Sequence, residues 1–225
     1  MTAHQAGSDR PGRGQICAGL FVSTLLAFLS GCEVFGYVAQ GVTPKPSPML
    51  VKAEYHGLQN QKVAVLVDAN QQLLFEQPLA QLEVGEVISR RLAGNVPGIT
   101  VIDARQVVDF QNRNIYWTTI PYSQIAQRLG VTRLVLVELT DYRLHEPGNV
   151  NVWRGVISGN IAVAEVDGPR PDDLVYDAPV SVAYPPDKPL GVLKSDQRTM
   201  RLATLDLFSR AAAGKFYDFR EERGE

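Results

Sequence analysis

Lys62-Val63-Ala64-Val65-Leu66-Val67-Asp68 is the stretch that decides the fold. Five apolar residues run unbroken between a lysine and an aspartate, too short for a free-standing helix and without the alternation of a half-exposed strand. Such a run marks a strand buried on both faces, which needs helices on either side of it. The following residues supply them. Leu79, Leu82, Val87 and Leu92 predict one buried helix face over residues 79–93, with Gly94 and Asn95 as the stop and residues 69–78 as a loop before it. Pro97-Gly98 then turns the chain into a short strand, Ile99 to Ile102. Asp103 and Gln106 have capping-box spacing for a helix running towards Asn112. After Ile115 to Ile120, Pro121 opens a helix with Ile125, Ala126 and Leu129 on one face and Gly130 at its end. Leu134-Val135-Leu136-Val137, within residues 131–139, is a third buried strand.

From Asp141 the pattern changes. Glu146-Pro147-Gly148-Asn149 is a turn, residues 150–166 alternate over a long span, and a second turn at Asp167 to Asp172 leads to a strand over 174–184. Strands joined by short turns pair antiparallel. Ser195 is placed to cap a last helix reaching Tyr217, with Leu202, Leu205, Ala212 and Phe216 as its apolar stripe. The whole predicts an α/β domain of the α+β variant: a three-layer-like mixed sheet, parallel in its first three strands and then an antiparallel meander, closed by a C-terminal helix. Right-handed crossovers set the strand order as 2-1-3-4-5.

The N-terminal quarter has a different composition. Arg10 and Arg13 precede an apolar run from Ile16 to Leu29, which ends in small residues, as a secretory signal peptide does. Leu29-Ser30-Gly31-Cys32 resembles the lipobox of bacterial lipoproteins, and the resemblance implies removal of residues 1–31 and acylation of Cys32. The alternatives are a single membrane anchor or a cleaved signal with an incidental cysteine; the run falls short of the roughly 20 residues a spanning helix needs. Residues 32–61 are expected to be a tether, with Pro44, Pro46 and Pro48 favouring an extended polyproline conformation and Tyr55, Gly57 and Leu58 leading into the domain. A single periplasmic domain over 62–219 and a charged tail over 220–225 complete the organisation. Glu33 is not the aspartate that resembles an inner-membrane retention signal, so outer-membrane placement facing the periplasm is expected.

Composition narrows the function. The chain of 225 residues carries 22 basic and 24 acidic side chains; without residues 1–31, which hold Arg10, Arg13 and Asp9, 20 and 23 remain. A net charge of about minus 3 with no basic block excludes nucleic acid as the expected partner. Cys17 would be lost with the signal and Cys32 would carry lipid, leaving no thiol for a disulfide, zinc site or nucleophile. No cofactor is expected, since Asp68-Ala69-Asn70-Gln71-Gln72 has no glycine to cradle a phosphate and no G-x-S-x-G elbow occurs.

Two constellations carry chemistry. Asp68, Asp103 and Glu138 fall at or near carboxyl ends of predicted parallel strands, where open α/β sheets bind ligands, and together they would hold a divalent cation. Asp103 equally suits a helix cap and Asp68 a turn. Tyr142, Arg143, His145, Trp153 and Arg154 gather around the predicted hairpin as a candidate partner-binding surface. A histidine among carboxylates suits acid–base work, but no nucleophile stands near it in sequence, and no catalytic residue is assigned. Gly155 and Gly159 on one strand face mark a bulge or the close approach of another backbone, with a closely packed helix as the expected neighbour and a binding groove beside Trp153 as the alternative.

The element order over Lys62 to Phe219 resembles the periplasmic α/β domain of the curli-secretion lipoproteins, of the lipoprotein activators of penicillin-binding proteins, and the amino-terminal domain of the Tol-system translocation protein. Lys62 to Asp68 and Leu144 to Gly155 also resemble an uncharacterised family of bacterial lipoproteins. These resemblances imply a non-enzymatic envelope lipoprotein, tied to the bilayer through acylated Cys32, that docks onto an envelope protein or cell-wall component in assembly, transport or wall maintenance. The alternatives are a metal-assisted hydrolase using the strand-end carboxylates and a self-assembling secretion lipoprotein. The oligomeric state is open.

Overall fold

The computed structural model describes residues 49–221. Cys32, the signal peptide and the proline-rich part of the tether lie outside them. The elements run β1 (Met49–Val51), β2 (Lys62–Ala69), α1 (Gln71–Glu76), α2 (Ala80–Asn95), β3 (Thr100–Val101), α3 (Ala104–Arg113), α4 (Tyr122–Leu129), β4 (Arg133–Glu146), β5 (Asn149–Glu165), β6 (Leu174–Tyr184), α5 (Gln197–Ala213) and β7 (Phe219–Glu221).

The main sheet has the order β3-β2-β4-β5-β6, the expected 2-1-3-4-5 counted from Lys62. β2 lies parallel to β3 and β4, and β4, β5 and β6 form the antiparallel meander. Val63, Val65 and Val67 face one side with Val135, Val137, Ile157, Ile161 and Val163, and the helices α2 and α5 seal it with Val84, Ile88, Leu92, Met200, Phe208 and Ala212. Ala64, Leu66 and Leu134 face the other side, under Val107 and Phe110 of α3 and Ile125 and Leu129 of α4. Burial of β2 on both faces is what its unbroken apolar run requires.

Local chemistry sets most of the boundaries. Asp103 caps α3 by accepting from Arg105 N at 2.7 Å, and Gly130 ends α4 in the left-handed conformation at φ 66°. Residues 71–76 form α1 instead of a loop, because the Asn70 side chain caps it by accepting from Leu73 N at 2.9 Å. Asp196, not Ser195, caps α5, accepting from both Thr199 N and Thr199 Oγ1. Within α2 the buried stripe is Ala80, Val84, Ile88 and Leu92, while Leu79 precedes the helix and is 54% exposed. Within α5, Leu202 faces solvent and Met200, Leu205, Phe208 and Ala212 face the core.

The expected boundaries of the domain need correction at both ends. β1 and β7 pair antiparallel, Met49 opposite Glu221, so residues 49–61 and 220–221 belong to the domain and not to a tether or tail. Glu54 N and Tyr55 N donate to Lys215 O at 2.8 and 3.1 Å, and Leu58 is fully buried. Once the prolines stop at Pro48, the backbone is free to donate to a strand and does so. Behind this segment Arg133 is buried, donating to Gly57 O and Thr132 O and pairing with Asp167 and Glu165. Its single charge is thus compensated, as that of a buried guanidinium must be.

Candidate functional site

The hairpin between β4 and β5 extends beyond the point where β2 stops, since Ala69, the last residue of β2, is level with Leu139 and β4 runs on to Glu146. A register shift between Leu139 and Asp141 reverses the alternation. Val135, Val137 and Leu139 face the α2–α5 side, and past the bulge it is Tyr142, opposite Ile157, that does so. Tyr142 is therefore a core residue, 2% exposed, and not part of a contact surface. Its hydroxyl donates to Glu83 Oε2 at 3.4 Å, and Arg201 holds Glu83 at 3.1 and 3.2 Å. Burial, and then the Glu83 charge, push the Tyr142 phenol well above its ordinary value.

The other four predicted contact residues do lie together at this end, each engaged with a neighbouring residue. His145 and Trp153 are register partners with ring centroids 4.1 Å apart. Arg143 pairs with Asp141, and Arg154 lies 3.6 Å from Glu146 and donates to the carbonyls of Lys188 and Pro189. Trp153 N donates to Val192 O at 2.8 Å and Val192 N to Trp153 O at 3.0 Å, fastening the segment after β6 to the start of β5. Among exposed polar neighbours such as Asn149, Asn151, Asp187, Lys188 and Lys194, three aliphatic side chains stand in solvent: Val150 at 76%, Leu190 at 85% and Leu193 at 75%. These three were missed in the sequence because isolated aliphatic residues near turns look like ordinary loop content; only the Trp153–Val192 bridge brings them alongside one strand end.

The three candidate metal ligands separate. Asp68 and Glu138 are register partners on β2 and β4, whereas Asp103 is occupied as the cap of α3, in a different surface depression beside Glu86 and Arg90. Among the described residues no group of three His, Cys, Asp or Glu side chains is arranged to hold a metal ion. Asp68 and Glu138 instead border a cavity of about 300 Å³ on the α3–α4 side of the sheet, where Asp177 of β6 joins them. Asp177 had one available signal, an aspartate in the middle of a strand, where that residue is disfavoured.

Of the two glycines, Gly155 fits the expectation: a Cβ there would collide with Thr204 of α5. Gly159 does not, since a Cβ would meet the backbone of Glu138 and Leu139 at the bulge. A neighbouring strand, not a helix, requires that glycine.

A mixed five-stranded sheet with helices on both faces and an antiparallel extension past the parallel strands defines a small α/β domain. No protein-family model and no curated protein sequence matches the chain. Similar solved structures include a PelC dodecamer from Paraburkholderia phytofirmans, 10% identical over 73% of this chain and 94% of that one, with a TM-score of 0.46. Lipoprotein GNA1162 from Neisseria meningitidis is 12% identical over 65% and 94%, with a TM-score of 0.36. The LpoB C-terminal domain from Salmonella enterica is 14% identical over 55% and 83%, with a TM-score of 0.33. Among the described residues no helix is long and apolar enough to cross a membrane.

Proposed function

We propose that this chain is an envelope lipoprotein, acylated at Cys32 and held at the outer membrane, that acts without catalysis by docking the β4–β5 hairpin end onto a protein partner. The observation that carries the reading is the polarity of the domain along α5. At the C-terminal end of α5, Lys215 holds residues 54 and 55, through which the chain enters from the N-terminal side. At its N-terminal end, Gln197 shares a surface depression with Arg143, His145 and Pro147. Seventeen helical residues separate these ends by about 25 Å. Val150, Leu190 and Leu193 are exposed at the hairpin end, away from residues 54 and 55. Apolar residues grouped beside half-buried Trp153 and Arg154 have the composition of a contact surface.

The lipid half of the reading is tested by feeding cells an alkyne fatty acid: label on the wild type and none on Cys32→Ala is expected, and label on both would refute acylation at Cys32. The docking half is tested by a photoreactive amino acid at position 150, 190 or 193 in intact cells, with position 202 on α5, 57% exposed, as the control away from the hairpin end. One discrete adduct shared by the three hairpin-end positions and missing at 202 is expected. Adducts no different from the control would overturn docking at this end.

A further inference from the structure

We propose that the cavity on the α3–α4 face is a binding site for an organic cation, a primary ammonium or guanidinium group carried on a short apolar stem. The helices do not reach the far part of this face. Leu66, Leu136 and Ala162 of three adjacent strands form its floor, and Trp117 and Tyr122, on either side of the turn into α4, form a wall. The volume of about 300 Å³ is at the small end of the range for ligand pockets and suits a stem of a few carbons.

The charge around that apolar floor has a single sign. Asp68 and Glu138 are neighbours in parallel register, Asn160 is opposite Glu138, and Asp177 accepts from the Asn160 amide. Among the described residues none of the three carboxylates forms an ion pair, although ten ion pairs occur elsewhere in the domain. Asp68 and Glu138 leave neighbouring strands at the same level, and a cation beside them offsets their mutual repulsion, with Asp177 two strands beyond Glu138, while its stem covers Leu136 and the aromatic edges. Aromatic surface adds attraction for an ammonium or guanidinium group that no anion would gain. A hard divalent ion fits less well, since it needs six or more converging oxygens and half of this lining is hydrocarbon. The cation has two possible sources, a free alkylamine or the lysine side chain of a peptide, and the chemistry of the site is the same for both.

The test uses the full chain in detergent, following the Trp117 indole resonance by NMR. The probes are cadaverine, the capped tripeptide acetyl-Ala-Lys-Ala-amide, 1-pentanol as the neutral stem and calcium chloride. Saturable movement of the Trp117 signal with cadaverine or the tripeptide is expected, with pentanol weaker by about tenfold or more, since it leaves the carboxylates unpaired. Whichever of the two cations binds more tightly identifies the source. Glu138→Gln and Asp177→Asn should each weaken binding about threefold, near the ceiling for an exposed ion pair, and about tenfold together, with the thermal midpoint unchanged. Pentanol binding as well as cadaverine, no saturation with either cation, unchanged affinity in the double variant, or calcium moving the signal where the amines do not would each overturn the proposal.

Discussion

The two faces of the sheet are built from the same strands and finished differently. On one, α2 and α5 lie over the whole width from β2 to β6 and leave a continuous hydrocarbon layer from Val63 to Val180. On the other, α3 and α4 cover β2 and the start of β4, and beyond Leu136 the strands carry Glu138, Asn160, Ser158, Asp177 and Ser181 towards solvent. The sealed face has one solution, close packing, and every side chain on it is constrained by its neighbours. The open face is constrained only where a helix sits, and its free part is where polar chemistry collects. Close packing and exposed polar chemistry are thus separated across the thickness of one sheet.

Substitutions on the sealed face should be the most damaging. Phe208→Ala is expected to lower unfolding stability in urea by about 3–5 kcal/mol, the range for deleting a buried aromatic ring. A loss below about 1 kcal/mol would mean that this face is loosely packed and the contrast fails. Gly155→Ala should lower it by about 1–3 kcal/mol, because the new methyl drives into Thr204. Thr204→Ala in the same chain should return part of that loss, and additive losses would show that α5 does not press on β5 there.

A smaller effect should appear in alkali. Tyr55, Tyr142 and Tyr176 are all raised above the ordinary phenol value, first by burial and then by the carboxylates of Glu165, Glu83 and Glu54 respectively. Below pH 10 the folded and unfolded chains keep these protons alike and the contribution is fully present. Above about pH 10 the unfolded phenols ionise while the folded ones do not, so stability falls as pH rises, as urea midpoints measured between pH 8 and 11 would show. A flat profile would place these hydroxyls in water. Smallest of all, Asp68→Asn and Glu138→Gln on the open face should change stability by no more than about 0.5 kcal/mol, with relief of repulsion favouring a slight gain. A loss of several kcal/mol would mean that the carboxylates hold the fold together and erase the distinction between the faces.

Much of this was legible because it depends on local chemistry. The buried run at Lys62 to Asp68, the turn at Glu146 to Asn149, Gly130 as a left-handed cap and the limits of the strand from Leu174 to Tyr184 are each fixed by a few adjacent residues. What the sequence hid depends on pairing. Alternation carried from Leu139 puts Tyr142 in solvent, and only the shift in register against β5 turns it into the core. Met49 to Val51 have no pattern of their own and become a strand because Phe219 to Glu221 are there to receive them. The sheet-face cavity assembles Asp68, Trp117, Glu138 and Asp177 from four separate segments, so no spacing along the chain announces it.

The outer edges of the sheet differ too. β3 covers only Lys62 and Val63 of β2, and further along the strand Gln81 from α2 and Gln111 from α3 both donate to the Val67 carbonyl, at 3.0 and 2.9 Å. An incoming strand would have to displace two side chains anchored in separate helices to add there, whereas among the described residues no strand pairs with the outer edge of β6, which carries Pro179. Sheet growth between copies of this domain would therefore be one-sided. Two molecules joined through β6 would each present the guarded edge outward, so such a pair terminates itself instead of propagating into a fibre.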